Sequence, residues 1–153
     1  MADSDDDIDV EPGLGIVRLA FFGTAAVVAT SVAAAVVPDT FGVVHAAVSV
    51  VLFGAGTAAL LWAYALGVSR SRTDLIGIPG LFLLAGDVAP APTRRQLRMA
   101  VAVEVGAVVA AASIRPFTEV AFGILAPMFG LGMMGMWAGR HGTFPPRPPK
   151  HAS

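Results

Sequence analysis

The sequence predicts an all-α membrane protein: four transmembrane helices in two hairpins, both termini inside, with a short interfacial or re-entrant segment between helices two and three. Composition is the first reason. Of the 153 residues, 56% are hydrophobic and only 14% charged, where a soluble domain carries about 25% charged residues to cover its surface. The second is distribution, because the charge deficit is concentrated in long uncharged runs, as membrane spans require. The third is the placement of the basic residues, which fall almost entirely at alternate breaks between those runs.

Residues 1–13 hold Asp3, Asp5, Asp6, Asp7, Asp9 and Glu11 and no basic residue. A secretory signal needs a positive stretch before its apolar core, so this segment reads as a disordered acidic tail. The first span covers about residues 14–37 and stops at Pro38-Asp39. Pro38-Asp39-Thr40 reads as the tight turn of a helical hairpin. The second span, 41–68, has 28 residues, more than the roughly 20 needed to cross, so it tilts or projects beyond the hydrocarbon.

The apolar stretch 75–86 has only 12 residues and contains Gly77, Pro79, Gly80 and Gly86. It is too short to cross and too rich in helix breakers for an ordinary helix. An interfacial or re-entrant segment is expected, with a buried core loop as the alternative. Thr93 to Arg98 open the third span, 99–114, and Arg115 to Glu119 form a second tight turn. The fourth span, 120–137, contains Gly123, Pro127 and Gly130 and reads as a kinked helix. Residues 140–153 read as a disordered proline-rich tail.

Orientation follows from charge. Arg18, Arg70, Arg72, Arg94, Arg95, Arg98, Arg140, Arg147 and Lys150 share one side if the chain crosses four times, leaving Arg115 alone opposite. The positive-inside rule makes their side cytoplasmic, in a bacterial plasma membrane. These basic segments fit anionic lipid headgroups better than nucleic acid.

Glu104 is the one acidic residue inside a span. A charge there costs on the order of 2.5–3.5 kcal/mol at mid-span and less near an interface. Arg18 enters the first span at a similar depth, so Arg18–Glu104 is a structural ion-pair candidate. The alternatives are a Glu104 that reaches water and one coupled to proton or substrate movement. Near the opposite face, His45, Arg115 and Glu119 are polar candidates for one outer cluster with Asp39. One histidine does not make a metal or haem site. On the fourth span Ala126, Pro127, Gly130, Gly135 and Gly139 are helix-packing candidates: Ala126/Gly130 and Gly135/Gly139 are small residues four apart, which let another helix approach closely. That helix belongs either to this chain or to a partner subunit.

There is no cysteine, which excludes disulfides and thiolate metal sites. No phosphate-binding loop, dinucleotide fingerprint, zinc-protease motif or serine nucleophile motif is present. No catalytic residue, cofactor, metal or small-molecule ligand is therefore expected.

Arg115-Pro116-Phe117-Thr118, Ala121-Phe122-Gly123, Pro127 to Gly132 and Arg140 to Arg147, with Gly80 to Gly86, resemble small actinobacterial membrane proteins of uncharacterised function. Proteins of this kind include accessory subunits of respiratory complexes. The resemblance implies a non-catalytic subunit that stabilises or helps assemble a larger membrane complex. Small four-helix multidrug exporters share the span count but carry their functional glutamate in the first span, which has none here. A proton-coupled transporter or channel working as a homo-oligomer is the alternative expectation.

Overall fold

A computed structural model describes residues 12–148; most of the acidic segment, residues 1–11, and the last five residues lie outside it. The described chain is helical, with α1 at Leu14–Val36, α2 at Pro38–Arg70, α3 at Ile78–Leu83, α4 at Ala91–Ile114, a 3₁₀ segment at Glu119–Leu125, and α5 at Pro127–His141. Four helical stretches are long and apolar enough to cross a membrane: α1, α2, α4, and the 3₁₀ segment together with α5.

The first hairpin is tighter than the sequence suggests. Pro38 is not a turn residue but the first residue of α2, leaving Val37 as the only non-helical residue between two long helices. Proline suits that position because its missing N–H would be unpaired in a first turn anyway. The same logic places Pro92 in the first turn of α4 and Pro127 at the start of α5.

Pro127 marks a change of winding within the fourth helical stretch. The seven residues before Ala126 wind as a 3₁₀ helix, long for that form, and Ala126 keeps right-handed helical angles into α5. The tighter winding lengthens the segment per residue, so the fourth crossing needs fewer residues than an α-helix would.

The fourth helical stretch lies at the centre. In its most apolar window 56% of residues are buried, against 17% for α2, 28% for α4 and 33% for α1. It packs on α1, α2 and α4, with α3 on the flank of α5. Backbone meets backbone where α2 and α5 cross. A side chain on Gly56 would strike the Met128 carbonyl and Phe129 Cα, and one on Gly132 would strike the Gly56 carbonyl oxygen. Nearer one end, Gly135 lies against Ala63 and Phe82, and Gly139 against Leu66. The core thins along the bundle, from Leu84, Leu97, Phe129, Met134 and Trp137 at that end, through Val27, Val108 and Ala126, to Ala34, Ala111 and Val120.

The same end gathers Gly13, the segment from 70 to 98, and the residues after α5. Gly13 abuts Trp137 and His141. Segment 75–86 is partly a six-residue helix packed into the bundle through Leu81 and Leu84, while Ile78 and Leu83 stay exposed. Residues 142–148, expected to be disordered, are docked instead. Leu75 N–H donates to Pro145 O at 2.8 Å, Arg147 N–H to Thr73 O at 2.7 Å, and Thr143 N–H to Val88 O at 3.0 Å. Phe144 is buried, and its ring lies under the Arg70 guanidinium, 5.3 Å from the centroid. Phe144 gives the tail the apolar anchor that its prolines obscure.

Candidate functional site

Glu104 belongs to the inward stripe of α4, Leu97, Ala100, Glu104, Val108 and Ala111, whose spacing of three and four residues keeps them on one helix face. It is fully buried. Its partner comes from the matching stripe of α1: Val17, Ala20, Thr24, Val27, Ser31 and Ala34. Thr24 Oγ1 lies 2.8 Å from Glu104 Oε1 and 3.0 Å from the carbonyl oxygen of Ala20. From α5, Gly130 makes the room: a Cβ there would sit 2.8 Å from Glu104 Oε2 and 2.5 Å from Val101 Cγ2. Glu104 Oε2 has no well-aligned hydrogen-bond partner, and the Gly130 backbone is the other hydrogen-bonding neighbour of the carboxyl group.

The expected Arg18–Glu104 pair does not form. Arg18 is exposed, on the outer side of α1 with Phe21, Phe22 and Ala25. Depth is not the reason. Arg18 precedes Thr24 by six residues, which at about 100° per residue leaves it roughly 120° around the helix from the face that meets α4. Among the described residues the ion pairs are Arg70–Asp74 at 3.2 Å and Arg94–Asp87 at 4.0 Å.

The outer cluster is likewise rearranged. His45 is fully buried in the bundle, with Nδ1 3.0 Å from Thr30 Oγ1. Its Nε2 has no partner and fills the space left by the missing side chain of Gly123 in the 3₁₀ segment. Glu119 approaches Gly42 on α2, and Arg115 is half-buried with Nε unpaired. His45, Arg115 and Glu119 thus lie near one end without bonding to one another. The partners of Glu104 and His45, Thr24 and Thr30, are six residues apart on α1, about 9 Å along its axis. The two buried polar groups are closer in depth than a placement on opposite sides of the membrane implies.

Several arginines of the basic end are engaged by backbone. Arg98 donates to Leu83 O at 3.0 and 2.8 Å and to Leu84 O at 3.2 Å, covering the carbonyls where α3 ends. Arg70 donates to Gly139 O at 3.2 Å and Gly142 O at 3.0 Å at the end of α5, and Arg94 to Gly86 O. A guanidinium with its fork of donors suits such unpaired helix-end carbonyls. Arg72, Arg95, Arg140 and Arg147 are exposed.

Sequence reading missed Thr24, Thr30, Gly56 and Gly132, and gave Gly123 a place in the fourth span but not its contact with His45. A signal existed for Thr24, because it falls in step with the apolar stripe of α1, where a hydroxyl needs a partner. Gly56 and Gly132 carried none, since glycine is common in spans and only the helix crossing distinguishes them.

No family model matches the chain, and no curated protein or solved structure does either.

Proposed function

We propose that this chain is a non-catalytic membrane subunit that stabilises or helps assemble a larger complex, lying in a bacterial plasma membrane with its arginine-bearing end in the cytoplasm. The observation that carries the reading is the outer side of α2. This helix has 33 residues, the most of any here, yet only 17% of its most apolar window is buried. Along one line of its exposed side Ala47, Gly54, Ala58 and Ala65 are interspersed with Val51 and Leu61, and nothing lies within 4 Å of the position a Gly54 side chain would take. Lipid chains make no demand for small residues, whereas a second helix does, because small residues let backbones approach. The positive-inside rule supports the orientation. The resemblance of the second half to small actinobacterial membrane proteins, a group that includes accessory subunits of respiratory complexes, makes such a complex the first partner to seek.

Extraction of a tagged chain in mild detergent is expected to bring down partner proteins in fixed stoichiometry, and Gly54→Leu to release them while the bundle stays folded. A clean monomer or homodimer from native membranes contradicts the reading.

A second reading, a proton-coupled transporter working as a homo-oligomer, is favoured by one observation: Glu104 is an ionisable side chain buried among three spans with one oxygen unpaired. It requires a flux in reconstituted vesicles that Glu104→Gln abolishes at unchanged protein level. Equal flux in both proteins ends it.

A further inference from the structure

Thr24 has one hydroxyl proton and two oxygens to serve. Its Oγ1 lies within hydrogen-bond distance of both Ala20 O and Glu104 Oε1, at 3.0 and 2.8 Å, and a threonine hydroxyl donates only once. If Glu104 were a carboxylate, Thr24 would be its one side-chain donor among the described residues, and Oε2 would have no well-aligned hydrogen bond, the Gly130 backbone being the other hydrogen-bonding neighbour. An unpaired charged oxygen is the costliest polar group a bilayer-embedded core can hold.

A proton on the carboxyl group resolves the geometry. Glu104 Oε1–H then donates to Thr24 Oγ1, and Thr24 donates its own proton to Ala20 O, a common back-bond for threonine in a helix. Both short contacts become hydrogen bonds, and the unpaired Oε2 is a neutral carbonyl oxygen.

Among the described residues no charged group competes for the site. From α1 the facing group is Thr24, from α5 the backbone of Gly130, and on α4 itself the neighbour is Val101. Arg98, six residues before Glu104, has its guanidinium on Leu83 O and Leu84 O, and Arg18 is exposed. His45 is bonded to Thr30.

We propose that Glu104 and Thr24 form a proton-binding site inside the bundle, the proton resting on Glu104 Oε1 and held by the hydrogen-bond chain through Thr24 to Ala20. The inference holds under either reading of function. In a structural subunit the proton ties α1 to α4, and in a transporter it marks where a coupling proton sits.

The test is infrared spectroscopy of the full chain, reconstituted in lipid vesicles at neutral pH with isotope-labelled glutamate, of which the chain has three: Glu11, Glu104 and Glu119. The expected spectrum contains a protonated-carboxyl C=O band that carries the glutamate isotope shift. Glu104→Gln removes the band, Thr24→Val moves it, and Thr24→Ser leaves it in place. A wild-type spectrum with glutamate present only as carboxylate overturns the proposal without any variant having to fold. So does a band that survives Glu104→Gln. Loss of the transport reading is separate, because it is read as flux: the band without flux keeps the proton site and rejects the transporter.

Discussion

Replacing the Thr24 hydroxyl by a methyl of the same shape removes both of its hydrogen bonds, to Glu104 and to Ala20 O, and adds no bulk. Thr24→Val leaves both Glu104 oxygens without a side-chain partner, at a cost of about 1–3 kcal/mol for the buried polar group left unsatisfied. The expected outcome is a lower unfolding midpoint in detergent for Thr24→Val, with Thr24→Ser close to wild type. Gly130→Ala acts on the same carboxyl group by crowding, since its methyl meets Val101 and Oε2. Overpacking of this kind costs about 1–3 kcal/mol, and the same midpoint measures it. Glu104 and His45 were legible in the sequence because polar groups in apolar runs stand out. Their partners were not, because depth along a helix can be counted from sequence, whereas azimuth requires knowing which neighbour each face meets. Arg18 has a suitable depth and the wrong azimuth; Thr24 has both.

Helices α2 and α5 meet through Gly56 and Gly132 with no side chain between them, so the crossing tolerates no Cβ at either position. Gly132→Ala and Gly56→Ala are expected to destabilise by about 1–3 kcal/mol or more, because the opposing atoms are backbone and cannot rotate away. Gly54→Ala, on the open side of the same helix, is expected to be neutral or slightly stabilising, by up to about 1 kcal/mol from helix propensity. Thermal unfolding of the three variants side by side checks the contrast. At the other end Arg70 holds α2, the end of α5 and the Phe144 ring together. Arg70→Gln is expected to raise hydrogen exchange at the amides of Leu75, Thr143 and Arg147 before it affects the long helices. The four long helices and their hairpin order were readable from hydropathy and proline placement. The 3₁₀ segment and the docked tail were not: the first depends on what packs around Gly123, and the second on Phe144 finding a site on a distant part of the chain.

At the scale of the molecule, one end collects Gly13, the 70–98 segment and the residues after His141, and with them most of the arginines. The charge distribution that suggested orientation from sequence therefore coincides with a physical end of the bundle, and an odd number of crossings would separate what the fold brings together. Composition, which points to membrane-spanning helices, is silent about partners. Function is accordingly argued from an uncovered surface, the side of α2 that carries Ala47, Gly54, Ala58 and Ala65, rather than from any motif. The most direct test of the membrane-spanning bundle uses the absence of native cysteine. Single cysteines at Thr73, in the arginine-bearing segment, and at Thr118, in the turn before the 3₁₀ segment, are treated with a membrane-impermeant maleimide on intact cells. Thr118→Cys is expected to be labelled directly and Thr73→Cys only after the membrane is opened. Labelling of Thr73→Cys in intact cells, or of both positions alike, would contradict the account.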